Sequence, residues 1–501
     1  MSKINDLKRI CKYLLSAAIT VMALQALKGA AKGSHFDAAA PIIPDTSVNL
    51  TNFDAVGDGV TLNTDAFEKA IAALSAQGGG ELMVPPGYWL TGPIRLRSNI
   101  NLHLERGALV QFSRDFHLYP LVVTDMKGEK SVDSTSPISG TDLENVAITG
   151  EGIIDGGGDA WRPMKKEKVS DPEWNGLVAS GGTVDSQGTT WWPGNDAMGA
   201  GKLVMLLQKT NCVDPLAYEP AHQYLRPKMV RLIGCHKVLL QGVTFENPPN
   251  WTVNPALCED VTIDHINIHN SYAAQNSDAL DIESCRRVIV RDSTIDAGDD
   301  GICLKSGKDA AGRRIGIPDE DILIEGDTVY HAHGGFVIGS EMSGGMRNIY
   351  VDNCTFIGTD NGLRFKSARG RGGVVERIFI SNVRMENILG NAIVFEMFYE
   401  KQPEADQAAA LPEVDAGTPR FRDIHIENLI CRGAHKAMIL DGLPEMPVQN
   451  IFLKNVSINA RLGASIADAD AVRFDNVHID QESGEKLKQT RVKNSSLELA
   501  P

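Results

Sequence analysis

From about residue 146 onward the chain repeats one pattern. Val, Ile or Leu alternates with polar residues, an Asn, Asp or Gly follows, and a second short alternation closes the unit. It appears as VAITGEGIIDG (146–156), VLLQGVTFEN (238–247), VTIDHINIHN (261–270) and VIVRDSTIDAG (288–298). It returns as ILIEGDTVYHA (322–332), IYVDNCTFIG (349–358), IFISNVRMEN (378–387), IHIENLICRG (424–433) and IFLKNVSINA (451–460). The later copies begin at 238, 261, 288, 322, 349, 378, 424 and 451, so successive differences are 23, 27, 34, 27, 29, 46 and 27.

Period-2 alternation puts the apolar residues of each run on one face. A single copy cannot bury that face, whereas stacked copies make a continuous core. A strand-bearing period in the twenties therefore predicts an all-β solenoid, a right-handed parallel β-helix. A β-sandwich is the alternative, but its strands would share neither phrase nor period. The two long differences predict loops inserted at about 306–319 and 400–420. Cys235, Cys258 and Cys285 each stand three residues before an anchor of the repeat, which predicts a ladder of buried free thiols.

Around this repeat the chain divides into residues 1–32, an export signal; 33–145, a cap and the first coils; 146–480, the parallel β-helix; and 481–501, a C-terminal tail. Lys3, Lys8, Arg9 and Lys12 precede an apolar run from Leu14 to Leu24, too short for a comfortable transmembrane span. The expected destination is the periplasm or the exterior. DAFEKAIAALSA (65–76) carries helical periodicity after Asn63 and Thr64, both suited to capping. This helix would cover the open end of the stack, whose unpaired edge would otherwise invite aggregation. Residues 157–225 hold four of the six tryptophans and no repeat, and read as surface packing or as one wall of a cleft.

Composition narrows the chemistry. A net charge of −15 argues against nucleic acid or an anionic membrane surface as partner. Beyond Cys11 there are cysteines at 212, 235, 258, 285, 303, 354 and 431, with no metal-site spacing and no disulfide framework.

Four polar motifs follow consecutive anchors: NSD (276–278), GDD (298–300), AHGG (332–335) and RFK (364–366). Counted from its anchor, Asp278 lies at 17, Asp300 at 12, His333 at 11, Arg364 at 15 and Lys366 at 17. The stretch SYAAQ (271–275) can absorb the lag of Asp278 in its turn. Singly, each motif reads as a turn or a solvated strand face. Together, a solenoid collects three carboxylates, an imidazole and two cations on one side. Glycoside hydrolysis needs such a set, with one carboxylic acid to protonate the leaving oxygen and another carboxylate to activate water. Adjacent carboxylates repel, so one of them should keep its proton at higher pH. Asp299 and Asp300 would face opposite ways in an extended strand, and Gly298 would permit the bend that brings both to one cleft.

On these motifs the chain resembles glycoside hydrolase family 28, the polygalacturonases, which carry N-[ST]-D, G-D-D, G-H-G and R-I-K in this order. NFDAVGDGVTLNTDAFEKAI (52–71) is similar to the family's N-terminal segment. RPKMVRLIGCHKVLLQGVTFENPPNW (226–251) and HGGFVIGSEMSGG (333–345) are similar to its bacterial exo-acting branch. The resemblance implies inverting hydrolysis of α-1,4-galacturonide linkages in homogalacturonan, from chain ends, with no metal or organic cofactor; a monomer is expected, exported by the N-terminal signal. It implies Asp299 as general acid, Asp278 and Asp300 as the pair that positions and deprotonates water, and His333 as a fourth catalytic residue. Arg364, Lys366 and Tyr399 would bind substrate, the two cations answering the substrate's negative charge within an acidic protein. An inverting pair implies carboxylates roughly 6.5–9.5 Å apart.

The pattern departs from the family at two places. The histidine motif reads HGG, so the usual histidine position, counted back from Gly339 and Ser340, is Gly334. Either a bulge returns His333 to the cleft or another group takes its role. Asn254 stands where the bacterial branch carries His, at a position expected to face substrate. Three other activities remain compatible with a β-helix: hydrolysis of rhamnogalacturonan or xylogalacturonan, pectate lysis with calcium and a cationic base, and carbohydrate binding without catalysis.

Overall fold

The computed structural model describes residues 36–399 and 411–500. The export signal expected over 1–32 and most of the loop expected at 400–420 lie outside the described residues. Among the described residues no helix is long and apolar enough to cross a membrane.

The strands form a parallel β-helix with three sheets running its length. The repeat anchors lie in one of them, strictly in register. Val146 pairs with Val238, Val238 with Val261, Val261 with Val288 and Val288 with Ile322. The column continues through Ile349, Ile378, Ile424 and Ile451. Upstream it extends through Ile100 to Gly80. The side chains of this column from Ile100 to Ile451 are fully buried. Each is worth ~1.5–3 kcal/mol of apolar burial, repeated coil after coil. The coil is right-handed, the hand that crossovers between parallel strands adopt.

The polar residues that punctuate the repeat make its corners. The residue before each anchor has positive φ: Asn145, Lys237, Asp260, Arg287, Asp321, Asn348, Arg377, Asp423 and Asn450. Asn and Asp tolerate this left-handed conformation better than other non-glycine residues. They also link coils: Asn145 Nδ2 donates to Asn99 Oδ1 (2.8 Å), Asn348 Nδ2 to Asp321 Oδ1 (2.9 Å) and Asn450 Nδ2 to Asp423 Oδ1 (2.8 Å).

Cys235, Cys258 and Cys285 are buried free thiols at equivalent places in successive coils. In the next coil the ladder ends at Asp319, whose Oδ1 accepts from the backbone N–H of Cys285 at 2.7 Å. The helix Thr64–Ala76 packs Phe67, Ala70, Ile71 and Leu74 on the first coils. Asn63 precedes it without capping it by its side chain. Buried instead, Asn63 accepts from Val56 N–H (2.8 Å) and donates to the carbonyl of Thr61 (2.8 Å), tying the preceding loop down. Strand pairing continues at the C-terminal end through Arg473–Lys493.

Two excursions leave the helix on one side. Leu121–Met126 and Glu129–Ser134 form an antiparallel hairpin. Residues 157–225 carry a small antiparallel sheet and short helices, among them Gly201–Lys209. The two share a core of Leu121, Val132, Ala200, Val204, Tyr218 and Ala221. The insertion expected at 306–319 contains the short helix Asp309–Ile315.

Candidate active site

The four motifs converge on the sheet that precedes the anchor sheet in each coil, here the front sheet. Its successive strands include Val230–Ile233, Val253–Ala256, Leu280–Glu283, Asp300–Lys305, Gly334–Ile338 and Asn361–Lys366. Asp278 sits two residues before its strand, and its carbonyl accepts from Thr252 N–H (2.9 Å) and Thr252 Oγ1 (3.0 Å). Arg226 clamps the turn ahead of it, donating to Gln275 O (3.0 Å) and Asn276 Oδ1 (2.7 Å). This turn takes up the lag seen in the sequence.

Gly298 acts through space and not through an unusual φ. A Cβ there would lie 2.4 Å from Ser271 O, 2.6 Å from Ala274 O and 2.7 Å from Ser277 Oγ. The GDD turn can therefore lie against the NSD turn only with glycine at this position. The result is one carboxylate oxygen from each of Asp278, Asp299 and Asp300 within 4.8 Å of the others. This is a distance between nearest oxygens, and so is shorter than the separation of whole carboxyl groups to which the ~6.5–9.5 Å of an inverting pair refers. The cations around the cluster are the physical reason that such crowding is tolerated.

Lys366 Nζ donates to Asp300 Oδ2 at 2.6 Å, and Arg364 Nη1 lies 3.5 Å from Asp300 Oδ1. Lys305 Nζ stands 3.3 Å from Asp281, 3.6 Å from Asp278 and 3.6 Å from Glu341. Asp278, Asp281, Asp300, Lys305 and Lys366 are all buried. Burial pushes the Asp278 carboxyl well up from the ordinary range, and the charges of Asp281, Asp299 and Asp300 push the same way. Burial likewise carries Asp281 up to about 7, against the pull of Lys305. Asp300 goes the other way: burial opposes its ionisation, but Lys366, Arg364 and Lys305 together hold it well below the usual range. Two neighbouring carboxyls are thus driven apart in pKa.

His333 reaches the cluster. Its Nδ1 lies 3.0 Å from Asp299 Oδ1, its backbone N–H donates to the Asp299 carbonyl (2.8 Å), and its Nε2 is 3.8 Å from Asp360 Oδ2. The hydrogen bond to Asp299 raises the His333 pKa, burial opposing it. Gly334 begins the strand beside Asp300. A Cβ at Gly334 would meet Val337 at 2.5 Å, so that position has no room for an imidazole. Tyr399 lies over the two cations, its ring centroid 5.6 Å from the Arg364 guanidinium carbon and 5.2 Å from Lys366 Nζ.

Asn254 is not at the cleft surface. It is fully buried, accepts from Arg231 and donates from Nδ2 to the Asp281 carbonyl at 2.7 Å. The expectation that it faces substrate is therefore corrected. It braces two strands and points away from solvent because Arg231 and the Asp281 backbone satisfy its amide.

Sequence reasoning missed Lys305, Asp281, Glu341 and Trp251. Lys305 Nζ lies 4.5 Å over the Trp251 ring, and Lys228 Nζ lies at the same 4.5 Å. The strands that carry Asp281 and Lys305, LDIE and DGICLK, pair with each other, but a lysine at a strand end gives no local sign of the carboxylates around it.

A parallel β-helix whose front sheet gathers three carboxylates among buried cations defines a class of polysaccharide-processing protein. The model of glycosyl hydrolases family 28 matches residues 166–481. The chain is 33% identical to a hyperthermoactive exopolygalacturonase from Thermotoga maritima, covering 90% of this chain and 95% of that one, with a TM-score of 0.75. It is 26% identical over 447 residues to an exo-poly-alpha-D-galacturonosidase of Dickeya chrysanthemi, covering 86% of this chain and 70% of that protein. A probable polygalacturonase of Vitis vinifera is 28% identical over 422 residues, covering 82% of this chain and 74% of its own length. The chain belongs to glycosyl hydrolase family 28 and is a glycoside hydrolase.

Proposed function

We propose that this enzyme hydrolyses α-1,4-galacturonide linkages of homogalacturonan from chain ends, with inversion at the anomeric carbon. The observation that carries the reading is the pairing of a three-carboxylate cluster with Arg364, Lys366 and Lys305 in a protein of net charge −15. A polyanionic substrate needs local cations against the global field, and these stand beside the groups that would do the chemistry.

In this mechanism Asp299 donates its proton to the leaving glycosidic oxygen as the C1–O bond breaks. Asp278 and Asp300 hold a water between them, and its oxygen attacks C1 while its proton passes to the ionised carboxylate. Asp300 suits the base role because Lys366 keeps it ionised at acid pH. His333 orients Asp299 through the 3.0 Å hydrogen bond. Asp299 is about one-fifth exposed, enough to regain its proton from solvent between turnovers. Arg364 and Lys366 lie on the leaving-group side, where they meet a galacturonate carboxylate, and Tyr399 packs over both.

Every group invoked comes from one chain, so a monomer suffices. The export reading of residues 1–32 would carry the enzyme to the periplasm or exterior, where the polymer is. Release of reducing sugar from polygalacturonate by the wild type, set against Asp299→Asn and against rhamnogalacturonan as substrate, tests the proposal. Cleavage of rhamnogalacturonan alone would keep the aspartate roles and overturn the substrate.

A further inference from the structure

No step of the mechanism above uses Lys305, Asp281 or Glu341, although the three share one cluster with Asp278. Neighbouring coils bring them together. Leu280–Glu283 pairs with Asp300–Lys305, so Asp281 and Lys305 come from adjacent strands of the front sheet. The backbone N–H of Ser306 donates to the Glu341 carbonyl at 2.7 Å, which sets the turn of the next coil beside them. The Lys305 ammonium then lies 3.3 Å from Asp281 Oδ1, 3.6 Å from Asp278 Oδ2 and 3.6 Å from Glu341 Oε2. Neither oxygen of Asp281 has a hydrogen-bond partner among the described residues, and Asp278 Oδ1 has none. Buried carboxyl oxygens left in this way are uncommon, and the charge they have in common is Lys305.

Lys305 is also closed off from substrate. Its side chain is 5% exposed, and its ammonium lies 4.5 Å from the centre of the Trp251 ring. Arg162 fixes the segment that leads into Trp251, donating to Asn247 Oδ1 at 2.8 Å and to the Pro248 carbonyl. One ammonium cannot balance three carboxylates out of water, so the cluster retains protons. Burial first, and then the charge of Asp281, raises Asp278; burial carries Asp281 up to about 7; Lys305 pulls both down. Burial opposes the ionisation of Glu341, but Lys305 with Lys366 and Arg371 holds it below the usual range. The other titratable neighbours are Asp299, Asp300 and Cys303 in the same segment, and Glu283 with its partner Arg231 on the preceding strands. Lys366 lies beyond them, and the Lys228 ammonium lies over the same indole.

We propose that Lys305 and Asp281 are positioning residues for the hydrolysis: Lys305 tethers the Asp278 carboxyl at the water it shares with Asp300, and Asp281 counterbalances Lys305 so that Asp278 is not drawn into a full ion pair. The inference rests on the role given to Asp278 above. In this arrangement Asp278 keeps its proton while Asp300 is ionised, so a single negative charge faces the water. A protonated Asp278 holds that water without competing with Asp300 for its proton. When Asp281 ionises, its charge resists loss of the Asp278 proton. Neither positioning residue touches the sugar; both act through Asp278.

The pH profiles of kcat on polygalacturonate for two variants test it. Lys305→Met keeps the stem beside Trp251 and removes the charge. Its kcat should fall about a hundredfold, with KM changed by less than about twofold. Lys305 pulls down Asp278 and Asp281, and adds to Lys366 and Arg364 in holding Asp300 low, so both limbs of the profile should move to higher pH. Lys305→Arg, which retains the charge, should bring both limbs back toward the wild type. Asp281→Asn removes the charge that resists ionisation of Asp278, so its alkaline limb should move to lower pH. Its acid limb should stay, because Asp281 is protonated there. Limbs unmoved in both variants, with only the rate reduced, would make the pair mere packing and overturn the proposal. A KM rise in Lys305→Met as large as the loss of kcat would make Lys305 a substrate contact and overturn it equally. If Lys305→Met does not fold, the alkaline limb of Asp281→Asn decides alone. No hydrolysis of galacturonan by the wild type would instead remove the reading on which the proposal rests.

Discussion

Lys366 Nζ lies 2.6 Å from Asp300 Oδ2, although the two residues belong to strands two coils apart. The sequence resemblance assigns Lys366 to substrate alone. The geometry gives it a second task, because the same ammonium keeps the Asp300 carboxylate ionised. Replacing it should therefore alter pH dependence as well as affinity.

For Lys366→Met the expected change in kcat/KM is a loss of about a hundredfold, since one partner of a buried charge pair is removed. The sign of the pH effect follows from Asp300. Its pKa is depressed mainly by Lys366 against burial, so loss of Lys366 lets it rise. The acid limb of the kcat/KM profile should move to higher pH. A rise in KM with an unmoved acid limb would leave Lys366 as a substrate contact only.

Asp299→Asn should lower kcat by ~10²–10⁴, the range for loss of a positioned acid–base group. It should also lower the pKa of His333, whose upward shift comes first from its hydrogen bond to Asp299. Imidazole NMR titration of wild type and variant checks this directly. An unchanged His333 titration would contradict the contact.

Asp278→Asn should lose most activity yet melt higher at neutral pH. A buried carboxyl with a raised pKa stabilises the fold only while protonated, and that contribution is lost as pH rises. The amide removes the penalty, worth about 1–3 kcal/mol, while Lys305 keeps Asp281 and Glu341 as partners. Melting curves should therefore separate most at or above pH ~7 and converge near pH ~4, the ordinary carboxylate range.

Gly298→Ala places a methyl group 2.4 Å from Ser271 O. The expected cost is about 1–3 kcal/mol of stability, with activity falling further because Asp299 and Asp300 move with the backbone. A variant with wild-type kcat would contradict the close approach.

The fold was legible because its signal repeats. The anchors from Val238 to Ile451 predicted from alternation are the residues that pair, and the Asn and Asp between them sit at left-handed corners. The front-sheet motifs were legible as a group, since coils of similar length bring their turns together. Lys305 was missed because a lysine at a strand end ordinarily reads as solvated, and nothing local reveals three carboxylates around it. Asn254 was misread because position in a motif does not reveal burial; Arg231, on the neighbouring strand, takes up its amide. The hairpin 121–134 was not singled out because it lies outside the repeat, and its packing partners are about 70–100 residues away in the chain.

Chromatography of early products from polygalacturonate, with and without chelator, tests the proposed exo-acting hydrolysis. Lys366 and Lys305 already neutralise the acid cluster, so chelator should change nothing. The expected products are saturated mono- or digalacturonate without intermediate oligomers. Unsaturated products lost on chelation would mean lyase chemistry, and no product from galacturonan would mean another substrate.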